Sequence, residues 1–103
     1  MKIYNKAVRD RIPEIICSKG EMCNYESLTD EEFLPFLQLK LKEESNEYIE
    51  SGDIEELADL LEVIFRIAAI RGVDPDRLEK IRKEKSEIAG SFNKNIVLVG
   101  FEE

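Results

Sequence analysis

Hydrophobic residues recur every three or four positions along most of the chain, and glycines interrupt this pattern at intervals. Spacing of this kind is typical of amphipathic α-helices that bury one face. Because glycine readily adopts the left-handed conformation that ends a helix, four of the glycines are predicted to close four helices. They are Gly20, Gly52, Gly72 and Gly90. The pattern therefore predicts a single, mainly helical domain over residues 1–103.

An apolar stripe that ends at Gly20 places the first helix, and a capping signature locates the start of the second. The first is predicted over residues 8–19, with Pro13 early enough to fall in its first turns. Thr29 followed by Glu32 is a capping-box signature, which opens a second helix that continues to about residue 51. Pro35 predicts a kink or a restart inside that helix, because it removes one internal hydrogen bond.

The third helix follows Gly52 and is predicted to be capped by Asp53, with Glu56 at the capping-box position. Its core face is expected to be a continuous apolar stripe, while Glu56, Asp59 and Val63 lie along the flank. The stripe consists of Leu57, Leu60, Leu61, Ile64 and Ala68.

Asp74 and Pro75 open the fourth helix in the usual order of cap and then proline. Its inner side is predicted to carry Leu78, Ile81, Lys85 and Ile88. Residues 95–101 are short and β-branched, which predicts a strand. A lone strand needs a partner, and residues 2–4 of the same chain or of a neighbour are the available candidate.

Composition and charge restrict the possible partners. The formal net charge of −8 argues against binding to nucleic acid polymers, which requires clusters of basic residues. No apolar run approaches the roughly 18 residues of a membrane span. The first residues also lack the apolar stretch of a signal peptide, so a cytoplasmic protein without a membrane partner is expected.

The chain has no histidine and only two cysteines, Cys17 and Cys23. Their spacing fits neither a disulfide framework nor a zinc motif, which favours ordinary reduced thiols. Without histidine, Ser-His and Cys-His catalysis and most zinc sites are excluded. Oxygen ligands remain, and these select hard cations, magnesium first and manganese as the alternative.

Two pairs of carboxylates flank the predicted turn at Gly52. Glu44 and Glu47 precede it, Glu56 and Asp59 follow it, and each pair has the i, i+3 spacing that puts both on one side of a helix. In a helical hairpin Glu47 is level with Glu56 and Glu44 with Asp59. The two levels are about 4.5 Å apart along the helix, close to the roughly 3.5–4 Å between ions in two-metal sites.

Each of these acids has an ordinary explanation, since most glutamates on helices are solvated. Four carboxylates at matched heights would nevertheless repel one another unless a cation compensates them, which favours a metal site. Lys6, Arg9 and Arg11 form a basic cluster near the first helix. They either form internal salt bridges or contact phosphate. Lys85 is a further candidate for substrate contact because it falls on the predicted inner side.

The acidic motif at residues 43–47 (EESNE) and 56–59 (ELAD) resembles the signature of the all-α nucleotide pyrophosphohydrolases. This superfamily includes MazG, dimeric dUTPases and phosphoribosyl-ATP pyrophosphohydrolase. Residues 4–13 (YNKAVRDRIP) and 90–92 (GSF) resemble one small branch, described as phosphoribosyl-ATP pyrophosphohydrolase-like or MazG-like house-cleaning proteins. The resemblance covers nearly the whole chain. Its one departure is a tighter hairpin, with eight residues between Glu47 and Glu56.

The resemblance implies a four-helix MazG-like bundle completed by oligomerisation as a homodimer or homotetramer. It also implies magnesium-dependent cleavage of a nucleoside triphosphate between the α- and β-phosphates. The family's metal ligands fall on Glu44, Glu47, Glu56 and Asp59. Glu43 is an accessory carboxylate, and Glu62 could substitute for a ligand or join the set.

In the expected mechanism, Glu43 or Glu47 accepts a proton from the attacking water. The cluster around Lys6 and Arg9 holds the phosphate tail. The alternatives are an acidic helical protein that binds a basic partner, or a nucleotide sensor that does not hydrolyse what it binds.

Overall fold

The computed structural model describes residues 5–102, which form four α-helices and no strand. The helices are α1 (Ile12–Ser18), α2 (Asp30–Ser51), α3 (Ile54–Ile70) and α4 (Pro75–Ala89). The prediction of an all-α chain is therefore confirmed for this range. None of the described helices combines the length and the apolar character needed to cross a membrane.

Helix α1 is shorter than predicted, since it begins at Ile12 rather than at residue 8. The residues before it form a turn in which the Ile12 amide donates to the Arg9 carbonyl at 3.0 Å. Pro13 sets this start: it has no amide hydrogen and its ring clashes with a preceding helical turn, so it fits only at the beginning of a helix.

Helix α2 begins with the predicted capping box. The Glu32 amide donates to Thr29 Oγ1 at 3.2 Å, and the Thr29 amide donates to Glu32 Oε1 at 3.1 Å. The predicted restart at Pro35 is wrong, because the helix is continuous from Asp30 to Ser51. Phe33 and Phe36, on either side of the proline, both pack against the core. This packing offsets the single hydrogen bond that Pro35 removes.

Helices α2 and α3 form the predicted hairpin and make most of the contacts between helices. Gly52 turns the chain with a φ of 71°, and its amide donates to the Tyr48 carbonyl at 2.7 Å. Asp53 occupies the cap position of α3, but its side chain makes no capping hydrogen bond, contrary to the prediction. The predicted capping box is absent: the Asp53 amide donates to Ser51 Oγ at 3.1 Å, and the Glu56 carboxyl bonds to Glu44 and Glu47 of α2.

The inner face of α3 is rotated relative to the prediction. Val63, expected on the flank, is buried against Leu37 of α2, whereas Leu61, expected in the core, is 50% exposed. The apolar face of α3 is wider than the surface that α2 can cover. Within residues 5–102, part of this face therefore stays exposed, including Leu61 and Phe65.

Helix α4 has the predicted cap, in which Asp74 Oδ1 accepts from the Arg77 amide at 2.8 Å. Within residues 5–102 it packs on α3 but not on α2. The inner side predicted for α4 is wrong at Ile81, Lys85 and Ile88, which are exposed, and only Leu78 is half-buried. The strand predicted over residues 95–101 does not form in this range. Its predicted partner, residues 2–4, lies outside the described residues.

The chain is extended for its length. Its radius of gyration is 18.0 Å, whereas a compact domain of 100 residues has about 13 Å. Its accessible surface is 9543 Å², against roughly 6,000 Å² for a compact monomer of this mass. Many large apolar side chains are therefore exposed, including most of those in residues 92–101.

Candidate metal centre

The hairpin brings three of the predicted acids together. One carboxylate oxygen each from Glu44, Glu56 and Asp59 lies within 4.8 Å of the other two. Glu44 comes from α2 and the other two from α3, so the arrangement depends on the antiparallel packing around Gly52. We call these three residues, together with Glu47, the acid cluster.

Glu47 joins the acid cluster through Glu56. Burial away from water raises the pKa of Glu56 to about 7, and hydrogen bonds to Glu44 and Glu47 and the charges of both act in the same direction. The Glu56 carboxyl therefore keeps its proton up to a pH of about 7. Such a shift is expected where like charges are crowded in a partly buried place.

Glu44 is the most constrained member of the acid cluster, with 6% of its surface exposed. Its Oε1 is 3.5 Å from Lys40 Nζ, while its Oε2 is buried and has no hydrogen-bond partner among the described residues. An unsatisfied buried carboxylate oxygen is costly. Its presence beside two further carboxylates fits the ligand set of a hard divalent cation.

The raised pKa of Glu56 predicts an unusual pH dependence of stability. The carboxyl titrates near 4.5 when unperturbed and near 7 in the folded chain, so in this window the folded state holds a proton that the unfolded state has released. Metal-free protein is therefore expected to lose stability as pH rises from about 5 to 7. Melting temperatures measured in EDTA across this range test the prediction.

The control for this experiment is Glu56→Gln, which should flatten the profile because it cannot ionise. The chain has no histidine, so few other groups titrate in this window. Magnesium should also flatten the profile, since a cation competes with the proton. A wild-type melting temperature that rises between pH 5 and 7 would contradict the raised pKa of Glu56. The same pH dependence in wild type and in Glu56→Gln would also contradict it.

Two of the predicted basic residues lie beside the acids. Arg9 Nη2 is 2.7 Å from Asp59 Oδ1, and Lys6 Nζ is 3.2 Å from Glu43 Oε1. Ala7 lies between them in sequence and is buried against the α2–α3 hairpin, which holds this segment in place. The internal salt bridges that the sequence allowed are therefore present, and they put two cations at the edge of the acid cluster.

Other predicted site residues lie elsewhere. Arg11 pairs with Glu14 at 3.4 Å, and both side chains are exposed. Lys85 is exposed on α4, which does not pack on α2. Glu62 is also exposed and is not one of the three acids whose oxygens converge.

Lys40 is a site residue that sequence reasoning missed. Its Nζ is 3.5 Å from Glu44 Oε1 and 3.9 Å from Glu43 Oε2, and only 25% of its side chain is exposed. The signal was available in the sequence, because Lys40 precedes these two acids by the three and four residues that bring side chains together on a helix.

Comparisons of the chain with protein-family models, with curated proteins and with solved structures find no match. What the site can bind is therefore inferred from its own side chains. Converging carboxylates without sulfur or imidazole ligands favour magnesium or manganese over zinc or copper. The neighbouring cations Lys6, Arg9 and Lys40 form ion pairs with Glu43, Asp59 and Glu44.

Proposed function

We propose that this chain is a magnesium-dependent nucleotide pyrophosphohydrolase, which cleaves a nucleoside triphosphate into a monophosphate and pyrophosphate. The observation that supports it most is the buried, unpartnered Oε2 of Glu44 beside the carboxylates of Glu56 and Asp59. A solvated acidic surface would leave such an oxygen in contact with water. The sequence resemblance to the all-α pyrophosphohydrolases supports the same reaction.

The acid cluster would hold the cation, with manganese as an alternative to magnesium. When bound, the cation supplies neutralisation of phosphate charge and a lowered pKa of water. Arg9 is 2.7 Å from Asp59 and Lys6 is 3.2 Å from Glu43. Both can therefore bind phosphate oxygens close to the acid cluster and orient the chain of phosphates.

The proton of the attacking water needs an acceptor, and Glu47 is the better of the two candidates. Glu43 is held by Lys6 at 3.2 Å and by Lys40 at 3.9 Å. Glu47 instead bonds to Glu56, whose pKa of about 7 lets this pair exchange a proton near neutral pH. Glu43 then positions the two lysines.

A hydrolysis screen tests this function. Purified protein with magnesium is expected to release pyrophosphate and a monophosphate from at least one of a panel of canonical and damaged nucleotides. EDTA should abolish turnover, and manganese should restore it. Nucleotide binding without turnover would instead indicate a sensor. If the protein binds neither magnesium nor nucleotides, the result would favour an acidic protein that binds a basic partner.

We also propose that a second copy of the chain completes the core, as a homodimer or within a homotetramer. Three apolar residues follow one exposed stripe of α3: Ile54 is 74% exposed, Leu61 50% and Phe65 38%. The extended shape of the chain and its large accessible area are consistent with an apolar face that is buried against a second copy. In this assembly, the strand predicted over residues 95–101 would pair with residues 2–4 of the same chain or of a neighbouring copy.

A further inference from the structure

Arg9 is a positive charge that the chain holds directly against one of the proposed metal ligands. Its Nη2 lies 2.7 Å from Asp59 Oδ1, which is the distance of a charge-assisted hydrogen bond. Asp59 is one of the three acids whose oxygens converge. The two residues are 50 positions apart in the sequence, so the contact is made by the tertiary structure and not within one helix.

The backbone is fixed on both sides of Arg9. Ala7, two residues earlier, is 6% exposed and is buried against the α2–α3 hairpin. After Arg9 the chain turns, and the Ile12 amide donates to the Arg9 carbonyl at 3.0 Å. The guanidinium is therefore tethered beside Asp59, so little conformational freedom is lost when the pair forms.

A magnesium ion bound to Asp59 would lie close to this guanidinium. Magnesium binds carboxylate oxygens at about 2.1 Å, so an ion on Oδ1 would lie within about 5 Å of Arg9 Nη2. Two cations at this distance repel each other, and both draw on the charge of the same carboxylate. Arg9 and the ion therefore compete for Asp59.

Glu44 differs from Asp59 in this respect, and it independently indicates a cation. It is 6% exposed, and its Oε2 is buried without a hydrogen-bond partner among the described residues. Lys40 Nζ lies 3.5 Å from the other oxygen, Oε1, which is longer than an ordinary hydrogen bond. Glu44 thus offers an oxygen to the ion directly, whereas at Asp59 the ion has to displace a guanidinium.

We infer that Arg9 is a built-in competitor of the metal ion, which neutralises Asp59 in the metal-free protein and leaves this carboxylate when the ion binds. The inference rests on the proposed function, because it takes the acid cluster as the cation site. Arg9 then has two opposite effects. It stabilises the metal-free chain by reducing repulsion among the acids, and it lowers the affinity for the ion, so a higher magnesium concentration is needed to fill the site.

The experiment measures magnesium affinity by calorimetry, and the melting temperature in EDTA, for wild type, Arg9→Gln and Arg11→Gln. Arg11 is the matched control, since it lies two positions away and pairs with Glu14 rather than with the acid cluster. Arg9→Gln is expected to bind magnesium roughly fivefold more tightly, the upper value for a partly exposed ion pair. It should also melt at a lower temperature in EDTA. Arg11→Gln should bind magnesium within about twofold of the wild type.

The combination of tighter magnesium binding and lower metal-free stability is specific to competition, because loss of a merely structural contact would not tighten the binding of the ion. An unchanged or weaker magnesium affinity in Arg9→Gln would overturn the inference. Equal tightening in both variants would also overturn it, since only the net charge would then matter.

The side chain of Arg9 is 57% exposed, so its substitution leaves the core intact. If Arg9→Gln nevertheless does not fold, Arg9→Lys replaces it. A lysine keeps the charge but lacks the planar donors of the guanidinium, so magnesium affinity should tighten by about twofold. An affinity no tighter than that of the wild type would then overturn the inference.

The outcomes also separate this inference from the proposed function. Turnover with a magnesium affinity that does not depend on Arg9 overturns the competition and leaves the enzyme. Tighter magnesium binding in Arg9→Gln, without turnover of any nucleotide by the wild type, supports the competition and overturns the catalysis. Failure of both wild type and Arg9→Gln to bind magnesium overturns both.

Discussion

Replacing Glu44 with glutamine is expected to abolish magnesium binding and to remove most of the activity while making the metal-free protein more stable. Glu44 is 6% exposed, and its Oε2 has no partner among the described residues. A metal ligand of this kind contributes several kcal/mol to transition-state stabilisation, so turnover should fall by roughly 1,000-fold. Glutamine has nearly the same shape as glutamate, so a loss of magnesium binding and of activity in this variant can be assigned to the missing negative charge.

The gain in stability has a separate physical cause. The substitution removes one negative charge from a cluster in which Glu56 already keeps a proton at about pH 7. Relief of this repulsion is expected to raise the melting temperature of the metal-free protein. Loss of the contact with Lys40, at 3.5 Å, offsets part of this gain.

The measurements are melting curves with and without magnesium, together with steady-state turnover. Glu50→Gln is the matched control, since Glu50 is an exposed glutamate of the same helix. In the control, magnesium should still raise the melting temperature by mass action. A Glu44→Gln protein that still gains stability from magnesium, or that keeps its activity, would show that this carboxylate holds no cation.

Leu61→Asp is expected to separate the assembly into monomers. Leu61 is 50% exposed in the chain and lies between Ile54 and Phe65 on the exposed stripe of α3. Burying one leucine contributes about 1.5–3 kcal/mol, and a two-fold interface buries it twice. A charge at this position must also be desolvated, so the dissociation constant should rise by at least about 100-fold.

Light scattering coupled to gel filtration, at several protein concentrations, measures this effect. Ile49→Asp is the control: Ile49 is 77% exposed on α2 and follows Lys42 and Asn46 on the solvated side of that helix. The control should keep the mass of the wild type. A wild-type protein that is monomeric at all concentrations, or a Leu61→Asp protein with unchanged mass, would rule out this stripe as the contact between copies.

The features that depend on local spacing could be predicted from the sequence. Thr29 and Glu32 cap α2 as expected, and Gly52 forms the turn that was predicted between the two pairs of acids. Once the hairpin exists, the i, i+3 spacing of Glu44 and Glu47 and of Glu56 and Asp59 brings these acids together. Each of these results follows from the geometry of one helix or of one turn.

The predictions of burial were wrong where the burial of a helix face depends on which neighbouring helix covers it. Val63 is buried and Leu61 is half-exposed because α2 covers only one side of a wide apolar face. Lys85 was placed inward by the pattern of α4, yet α4 packs on α3 alone and leaves this lysine exposed. The periodicity of apolar residues shows which face of a helix is apolar, but it does not show how many neighbouring helices cover that face.

The sequence by itself determined the four helices, the turn at Gly52 and the convergence of Glu44, Glu56 and Asp59, because these follow from local backbone geometry. Only the tertiary structure decided that Lys6 contacts Glu43 and that Arg9 contacts Asp59. Arg9 reaches Asp59 from 50 positions away because Ala7 is buried against Leu37 and Val63. That contact depends on the shape of the gap beside the α2–α3 hairpin, which no local pattern in the sequence describes.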